Sequence, residues 1–196
     1  MLFLPTISQQ RSKTIVLASA SKRRQELLQA KNVVFDIVAP NVDEHIENGI
    51  PLTQAIEKLA WTKARQVYQQ YPDAIVIGAD TVVVCEEEIL GKPNNRQEVI
   101  DMLEKLSNKT HSVITGVCII DQGYPHIFHE ITKVTFVALS KQQIEQYADT
   151  DEPYDKAGSY AIQGSAAKFV KSYEGDYDNV VGLPVMKVLE HLQKIL

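Results

Sequence analysis

The stretch TIVLASASKRRQELL, residues 14–28, decides how the rest of the chain is organised. Its first five residues are a short apolar run rich in β-branched side chains and predict a buried strand. The remainder predicts a helix that Ser21 caps, with Leu27 and Leu28 as its first core residues. Serines, free backbone N–H groups and arginines thus meet where a strand ends, an arrangement suited to holding an oligophosphate. A capped surface helix with solvated arginines is equally compatible with this stretch alone.

Length and composition limit the classes to which the protein can belong. With 196 residues and 44% hydrophobic content, the chain can bury a core as one domain or as two lobes that share a sheet. The formal charge of −5 argues against general nucleic-acid binding, which needs a basic face. Cys85 and Cys118 lie in apolar runs without metal-ligand spacing, so we expect reduced core cysteines and a cytoplasmic location. No stretch is long and apolar enough to predict a membrane span, and residues 1–13 are expected to form a loose leader.

A lysine stands out in the helix predicted over residues 53–70, for which Thr53 is the expected cap. Lys63 follows Leu59 by four residues and precedes Val67 by four, which places it in the middle of the apolar face. A lysine in that position must extend its ammonium group to solvent or meet an anion. The residues alone leave both possibilities open.

Asp80 interrupts the central strand predicted over residues 74–84. An isolated buried carboxylate is unfavourable, so we expect Asp80 to be neutralised by a cation, protonated, or exposed at a bend near Gly78. Local turn hydrogen bonds are a weaker explanation, because apolar strand continues on both sides. After an exposed tip at residues 86–88 the chain returns, which places Lys92 beside the Asp80 strand. Asp80 is therefore a candidate functional carboxylate.

Four further segments carry candidate groups or predicted elements. Asp43 and Glu44 follow a second strand predicted over residues 33–38, and the residues alone favour a solvated acidic pair over a metal or base role. Residues 155–164 contain many small side chains, which lets backbone approach a ligand, although a mere irregular loop is the alternative. Residues 111–120 and 126–138 predict an antiparallel hairpin, and an acidic loop is expected at residues 173–178.

Five segments, in this order, resemble the Maf family of nucleoside-triphosphate pyrophosphatases. They are LASAS with Arg23 and Arg24, GADT at 78–81, GKP at 91–93, DKAG with IQG within 155–164, and VGLP at 181–184. Lys22 replaces a proline that is common in the family. The resemblance implies an α/β fold with a bent, mostly antiparallel mixed sheet and flanking helices, similar to the inosine-triphosphatase type. It also implies one domain over residues 14–196, with two lobes around a nucleotide cleft.

The same resemblance implies roles for individual residues. Asp80 matches the general base and, with Glu44, the metal-binding carboxylates, so a divalent cation (Mg²⁺ or Mn²⁺) is the expected cofactor. Arg24, Lys63 and Lys92 match the phosphate-contacting residues, and we place Ser19 with them because of its position in the first stretch. Family members are typically homodimers, and neither a nucleic acid nor a membrane is an expected partner.

The specificity positions of the subgroup that this chain resembles carry Arg, Thr and Gln, here Arg23, Thr81 and Gln163. The Gln163 amide offers both a donor and an acceptor, which suits the O4/N3 edge of thymine or uracil. The expected reaction is hydrolysis of dTTP and UTP, and of modified pyrimidine nucleotides, to the monophosphate and pyrophosphate. A purine-directed house-cleaning pyrophosphatase and a non-catalytic, nucleotide-binding regulator of septum formation are the alternatives.

Overall fold

A computed structural model describes residues 13–46 and 49–196 of the chain. The strands are β1 (Ile15–Ala18), β2 (Asp36–Ile37), β3 (Ile75–Cys85), β4 (Glu88–Leu90), β5 (Thr110–Asp121), β6 (Tyr124–Phe136) and β7 (Val170–Glu174). The α-helices are α1 (Lys22–Gln29), α2 (Leu52–Tyr68), α3 (Arg96–Leu106), α4 (Lys141–Ala148), α5 (Tyr177–Val181) and α6 (Val185–Ile195). Three short 3₁₀ turns, at Glu152–Asp155, Ala157–Ser159 and Ser165–Phe169, connect α4 to β7.

The strands form one mixed sheet in the order β2-β1-β3-β5-β6-β7, with β4 paired to the outer half of β3. Strand β1 pairs in parallel with β2 and with β3, whereas the remaining pairs are antiparallel. The long β5–β6 hairpin turns at Gln122 and Gly123, both at positive φ. The α/β fold with a mixed, mostly antiparallel sheet is thus confirmed, while the division into two lobes stays a prediction.

Both faces of the sheet are covered, and strand β3 contributes alternate residues to each. Ile75, Ile77 and Ala79 point into the larger core, together with residues of α1, α3, α4 and α6. Val76 faces the other way, against Ala60 and Ala64 of α2. Since side chains alternate along a strand, Asp80 lies on the α2 face and Thr81 on the opposite face.

Two glycines allow α2 to lie directly on the sheet. A Cβ atom on Gly78 would come within 2.6 Å of the Ala60 carbonyl oxygen, and one on Gly116 within 2.7 Å of the Ile56 carbonyl oxygen. Gly116 is paired with Asp80 in the β3–β5 ladder. The helix backbone therefore crosses the sheet beside Asp80, at a separation that side chains would not permit.

Several local expectations hold and others fail. The spacing of Ser140 and Gln143 predicts a capping box, and the two residues form a reciprocal one at the start of α4. Cys85 and Cys118 are buried free thiols. The second strand is shorter than predicted, and Pro51 rather than Thr53 is the N-cap residue of α2. The segment expected to be an acidic loop contains the end of β7 and the start of α5. Except for Lys13, the expected leader lies outside the described residues.

No helix in the described part of the chain combines the length and the apolar character needed to cross a bilayer.

Replacement of Gly78 by alanine should destabilise the protein by about 1–3 kcal/mol, because the new methyl group meets helix backbone that cannot move aside. The measurement is the free energy of unfolding from urea titration. Gly91→Ala is the matched control, since a Cβ atom there meets no described atom within 4 Å, and we expect no loss of stability. Equal stabilities for the two variants would contradict the close helix–sheet contact.

Candidate active site

A cleft of about 760 Å³ opens beside the β1–α1 turn and the middle of β3. Every candidate residue predicted from the sequence lines it. These are the expected phosphate-binding residues Ser19, Arg24, Lys63 and Lys92, the carboxylates Glu44 and Asp80, and the expected specificity residues Arg23, Thr81 and Gln163. The fold therefore brings together side chains from the β1–α1 turn, α1, α2, β3 and three connecting segments.

Lys63 joins the two carboxylates. Its Nζ atom lies 2.5 Å from Asp80 Oδ1 and 2.7 Å from Glu44 Oε1. The lysine is only 5% exposed, whereas the side chains of Asp80 and Glu44 are 13% and 57% exposed. A buried ammonium group is stable only with such partners, so the apolar position of Lys63 on α2 is explained by the carboxylate in the neighbouring strand.

Electrostatics in this cluster favour ionised Glu44. The hydrogen bond from Lys63 lowers the pKa of Glu44 below its usual value, against an opposing effect of partial burial. The charges of Lys63, Lys92 and Arg24 lower the pKa further. Lys92 is itself exposed at the start of the segment that follows β4. The carboxylate of Glu44 is thus more than half exposed and is also paired with the buried cation Lys63, and its role as a metal ligand stays a prediction.

Arg24 is not simply a ligand-binding arginine, because its guanidinium already bonds to groups of the protein. It is buried, and its guanidinium donates to Gly182 O at 2.8 Å, to Thr81 Oγ1 at 2.9 Å and to Ser19 Oγ at 3.2 Å. Burial lowers the pKa of Arg24, while Asp80 opposes this effect. Because a guanidinium carries five N–H donors, two remain for a ligand in the cleft after these three bonds.

The hydroxyl groups beside Arg24 continue the hydrogen-bond chain into the core. Thr81 Oγ1 lies 2.9 Å from Thr115 Oγ1, and Thr115 donates to the Asn179 carbonyl oxygen at 3.3 Å. The Asn179 side chain donates in turn to Val113 O and Thr132 Oγ1, both at 3.0 Å. Thr81 is therefore part of the support for Arg24, a role that its sequence position does not indicate.

The β1–α1 turn is arranged by Ser19 rather than by a capping side chain. Ser21 is the N-cap residue of α1, but its hydroxyl makes no capping bond. Instead, Ser19 Oγ accepts from the Ser21 backbone N–H at 3.2 Å and from Arg24. Ser19 is thereby fixed beside the N-terminus of α1, where free backbone N–H groups favour an anion.

Arg23 and Gln163 also line the cleft. Arg23 Nη1 donates to Asp155 Oδ2 at 3.1 Å, and Lys156 Nζ lies 2.5 Å from Asp155 Oδ1. Burial raises the pKa of Asp155, but the bond from Lys156 and the charge of Arg23 outweigh it, so that the pKa is lowered overall. Gln163 is exposed and its amide has no partner within the described residues, so both its donor and its acceptor are available to a ligand.

Asp155, Thr115 and Asn179 are site residues that sequence reasoning missed. Thr115 interrupts an apolar run, which is a usable signal of a buried polar contact, although it does not identify the partner. Asn179 follows an acidic stretch and gives no such signal. Asp155 belongs to a segment marked for its small residues, and nothing in that pattern pairs it with Arg23. These contacts join residues that lie 34 to 132 positions apart in the chain.

The donor set is suitable for a divalent cation. Asp80 and Glu44 already converge on one positive group, the ammonium of Lys63, and carboxylate oxygens are the ligands that Mg²⁺ and Mn²⁺ prefer. Within the described residues, no group of three or more acidic, histidine or cysteine side chains gathers at one point. A cation bound here would therefore complete its coordination with oxygens of a ligand or of water.

This geometry is suited to binding a polyanion beside a pair of carboxylates. Residues 14–195 match the family described as Maf-like protein, and the chain belongs to that family. The resemblance seen in the five sequence segments is thus confirmed over nearly the whole described chain.

Curated relatives of this chain carry an enzymatic name. A dTTP/UTP pyrophosphatase from Symbiobacterium thermophilum is 47% identical over 178 residues, which covers 91% of this chain and 92% of that protein. A dTTP/UTP pyrophosphatase from Desulforamulus reducens is 48% identical, covering 91% and 95%. One from Geobacillus is 46% identical, covering 93% and 98%. A solved HAM1 protein from Coxiella burnetii aligns with a TM-score of 0.43 at 16% identity over 64% of this chain and 73% of that one, a match too partial to bear on function.

The adjacent arginines should differ sharply in their effect on stability. Arg24→Met leaves Ser19, Thr81 and the Gly182 carbonyl without their donor and should lower the free energy of unfolding by about 2–4 kcal/mol. Arg23→Met removes a partly exposed ion pair and should change it by less than about 0.5 kcal/mol. Chemical denaturation of both variants checks this, and equal losses would show that Arg24 is not a structural support.

Proposed function

We propose that this protein is a nucleoside-triphosphate pyrophosphatase that hydrolyses dTTP and UTP, and modified pyrimidine triphosphates, to the monophosphate and pyrophosphate. The observation that carries the proposal is the convergence of Asp80, Glu44 and Lys63 in a cleft that Gln163 also lines. The names of relatives at 46–48% identity support the same reaction and the same bases.

Asp80 is the general base of the proposed reaction. Its Oδ1 atom is engaged by Lys63, and within the described residues Oδ2 has no hydrogen-bond partner. Oδ2 therefore accepts the proton of the water that attacks the α-phosphorus. The bond from Lys63 fixes the orientation of the carboxylate during this transfer, because β3 and α2 hold both partners rigidly.

The cationic residues bind the triphosphate and stabilise the leaving pyrophosphate. Lys63 and Lys92 both lie close enough to Glu44 to lower its pKa, and Arg24 retains one N–H donor on each of its two terminal nitrogens. These groups neutralise the charge that develops on the phosphate oxygens as the P–O bond breaks. Glu44 and Asp80 would hold a divalent cation, Mg²⁺ or Mn²⁺, which supplies further neutralisation of phosphate charge when bound.

The base lies against the wall formed by Arg23, Gln163 and the small residues that follow Asp155. A Gln163 amide pairs with both the O4 acceptor and the N3–H donor of thymine or uracil. An ATP or GTP base presents a different edge and a larger ring system to the same wall, so it leaves polar groups unpaired. The homodimer and the cytoplasmic location stay predictions.

The proposed chemistry predicts that Asp80→Asn lowers kcat for dTTP by about 100-fold or more, because the near-isosteric amide cannot accept the proton. Products are separated by ion-exchange chromatography, and the wild type should yield dTMP and pyrophosphate in equal amounts with Mg²⁺ and neither in excess chelator. Asp101→Asn, an exposed change on α3, is the control. Near-normal turnover in Asp80→Asn would remove Asp80 from the mechanism. Nucleotide binding by the wild type without turnover would favour a regulatory protein.

Base selection should depend on Gln163. We expect kcat/KM for dTTP and UTP to exceed that for ATP and GTP by about 10-fold to 100-fold, and Gln163→Glu to reduce this ratio, since an ionised carboxylate is acceptor-only. Gln193→Glu, an exposed change on α6 outside the cleft, is the matched control. Comparable kcat/KM values for dTTP and GTP in the wild type would contradict pyrimidine preference and favour the purine-directed alternative.

A further inference from the structure

Glu152, which does not line the cleft, holds the segment that presents Gln163. Its Oε2 atom accepts from the Ser165 backbone N–H at 2.9 Å and from the Ser165 hydroxyl at 2.6 Å. Its Oε1 atom accepts from the Tyr147 hydroxyl at 3.1 Å. Both oxygens of one carboxylate are thus used to join α4 to the turn that follows Gln163.

The carboxylate of Glu152 also explains why residue 164 is a glycine. A Cβ atom on Gly164 would lie 2.0 Å from Glu152 Oε1 and 2.5 Å from Glu152 Cδ. The φ angle of Gly164 is −98°, which any residue adopts. Glycine is therefore required here by the space that the carboxylate occupies, and not by backbone conformation.

Gln163 is consequently held on both sides through its backbone. On the N-terminal side Ile162 is buried in the main core, and the Gly164 N–H donates to the Ala161 carbonyl at 3.1 Å, which closes a tight turn. On the C-terminal side Ser165 is bound to Glu152. Only the amide side chain of Gln163 is left free, and it faces the cleft.

The charge of Glu152 is maintained by its partners. Partial burial raises the pKa of this carboxyl, but the bonds from the Ser165 hydroxyl, the Ser165 N–H and Tyr147 outweigh it and lower the pKa overall. Tyr147 is itself buried and packs edge-on against Phe169, with ring centroids 5.4 Å apart. The carboxylate therefore connects an exposed turn to a rigid part of the core.

The same 3₁₀ turn also positions Arg23. The Glu152 carbonyl oxygen accepts from Lys156 Nζ at 2.5 Å, Lys156 in turn holds Asp155, and Asp155 is the partner of Arg23. Gln163 is thus supported by the side chain of Glu152, and Arg23 is supported by its ion pair with Asp155 in the same turn.

We propose that Glu152 is a positioning residue for base selection: by anchoring Ser165 and Gly164 it sets the place of the Gln163 amide against the nucleobase. This inference rests on the proposed function. The role concerns recognition of the base and leaves the general base and the phosphate-binding groups untouched. Loss of the anchor should therefore change KM and selectivity, and leave kcat for the preferred nucleotide nearly constant.

The experiment compares wild type, Glu152→Gln, Ser165→Ala and the control Glu145→Gln, which changes an exposed carboxylate of α4 paired with Lys141. For each, kcat and KM are measured with dTTP and GTP, and amide hydrogen exchange is followed in the peptide covering residues 161–167. For Glu152→Gln we expect the dTTP/GTP ratio of kcat/KM to fall about tenfold through a higher KM for dTTP, with faster exchange in this peptide. Ser165→Ala, which retains the backbone bond to Glu152, should lie between wild type and Glu152→Gln, and Glu145→Gln should match wild type.

The outcomes separate the inference from the function on which it rests. A wild type that releases no pyrophosphate, or that does not prefer dTTP, defeats the proposed function, whereas the exchange data still decide whether Glu152 holds the Gln163 turn. If the wild type prefers dTTP and Glu152→Gln leaves the dTTP/GTP ratio of kcat/KM unchanged, the positioning role is overturned. Unchanged hydrogen exchange in residues 161–167 of Glu152→Gln overturns it as well. If Glu152→Gln does not fold, Ser165→Ala decides by the same two readouts.

Discussion

The direct contact of helix α2 with the sheet is the constraint on which the site depends. At Gly78 and Gly116 no side chain separates helix backbone from strand backbone, so the helix crosses β3 and β5 closely. At that depth the ammonium of Lys63 needs an opposite charge, which Asp80 supplies from within the strand and Glu44 from the loop after β2. The close packing of α2 on the sheet therefore also brings Lys63, Asp80 and Glu44 together.

Strand β3 distributes the functional groups between its two faces. Asp80 points towards α2, and Thr81 points towards the buried guanidinium of Arg24 and the carbonyl of Gly182. Since neighbouring residues of a central strand are fixed relative to each other, the carboxylate cluster and the arginine network are held in register by backbone alone. Of the residues expected to meet the base, Thr81 belongs to this strand, whereas Arg23 is partly exposed on α1 and Gln163 is exposed on a connecting segment. Gln163 can thus be replaced without changing a contact of the carboxylate cluster.

The extent to which the sequence predicts the site follows from how local each signal is. The capping box at Ser140 involves residues three apart and is predicted correctly. The sequence also indicates that Lys63 and Asp80 each need an opposite charge, yet it does not pair them, because their contact depends on how a helix crosses a strand. The hydrogen-bond partners of Arg24 could not be predicted in this way, since its acceptor in Gly182 lies 158 positions later in the chain. Strand β7 and helix α5 were not predicted because elements of five residues have too few apolar positions to reveal a period.

The charged side chains that line the cleft determine the electrostatic potential at its opening. Among the described residues, six cationic side chains line the cleft, namely Lys22, Arg23, Arg24, Lys63, Lys92 and Lys156, against the three carboxylates Glu44, Asp80 and Asp155. The whole chain carries a formal charge of −5. The local potential and the net charge thus have opposite signs, so an anion is repelled weakly by most of the surface and drawn towards one opening. Encounter with a polyanion becomes directional, and added salt should slow it by screening that attraction.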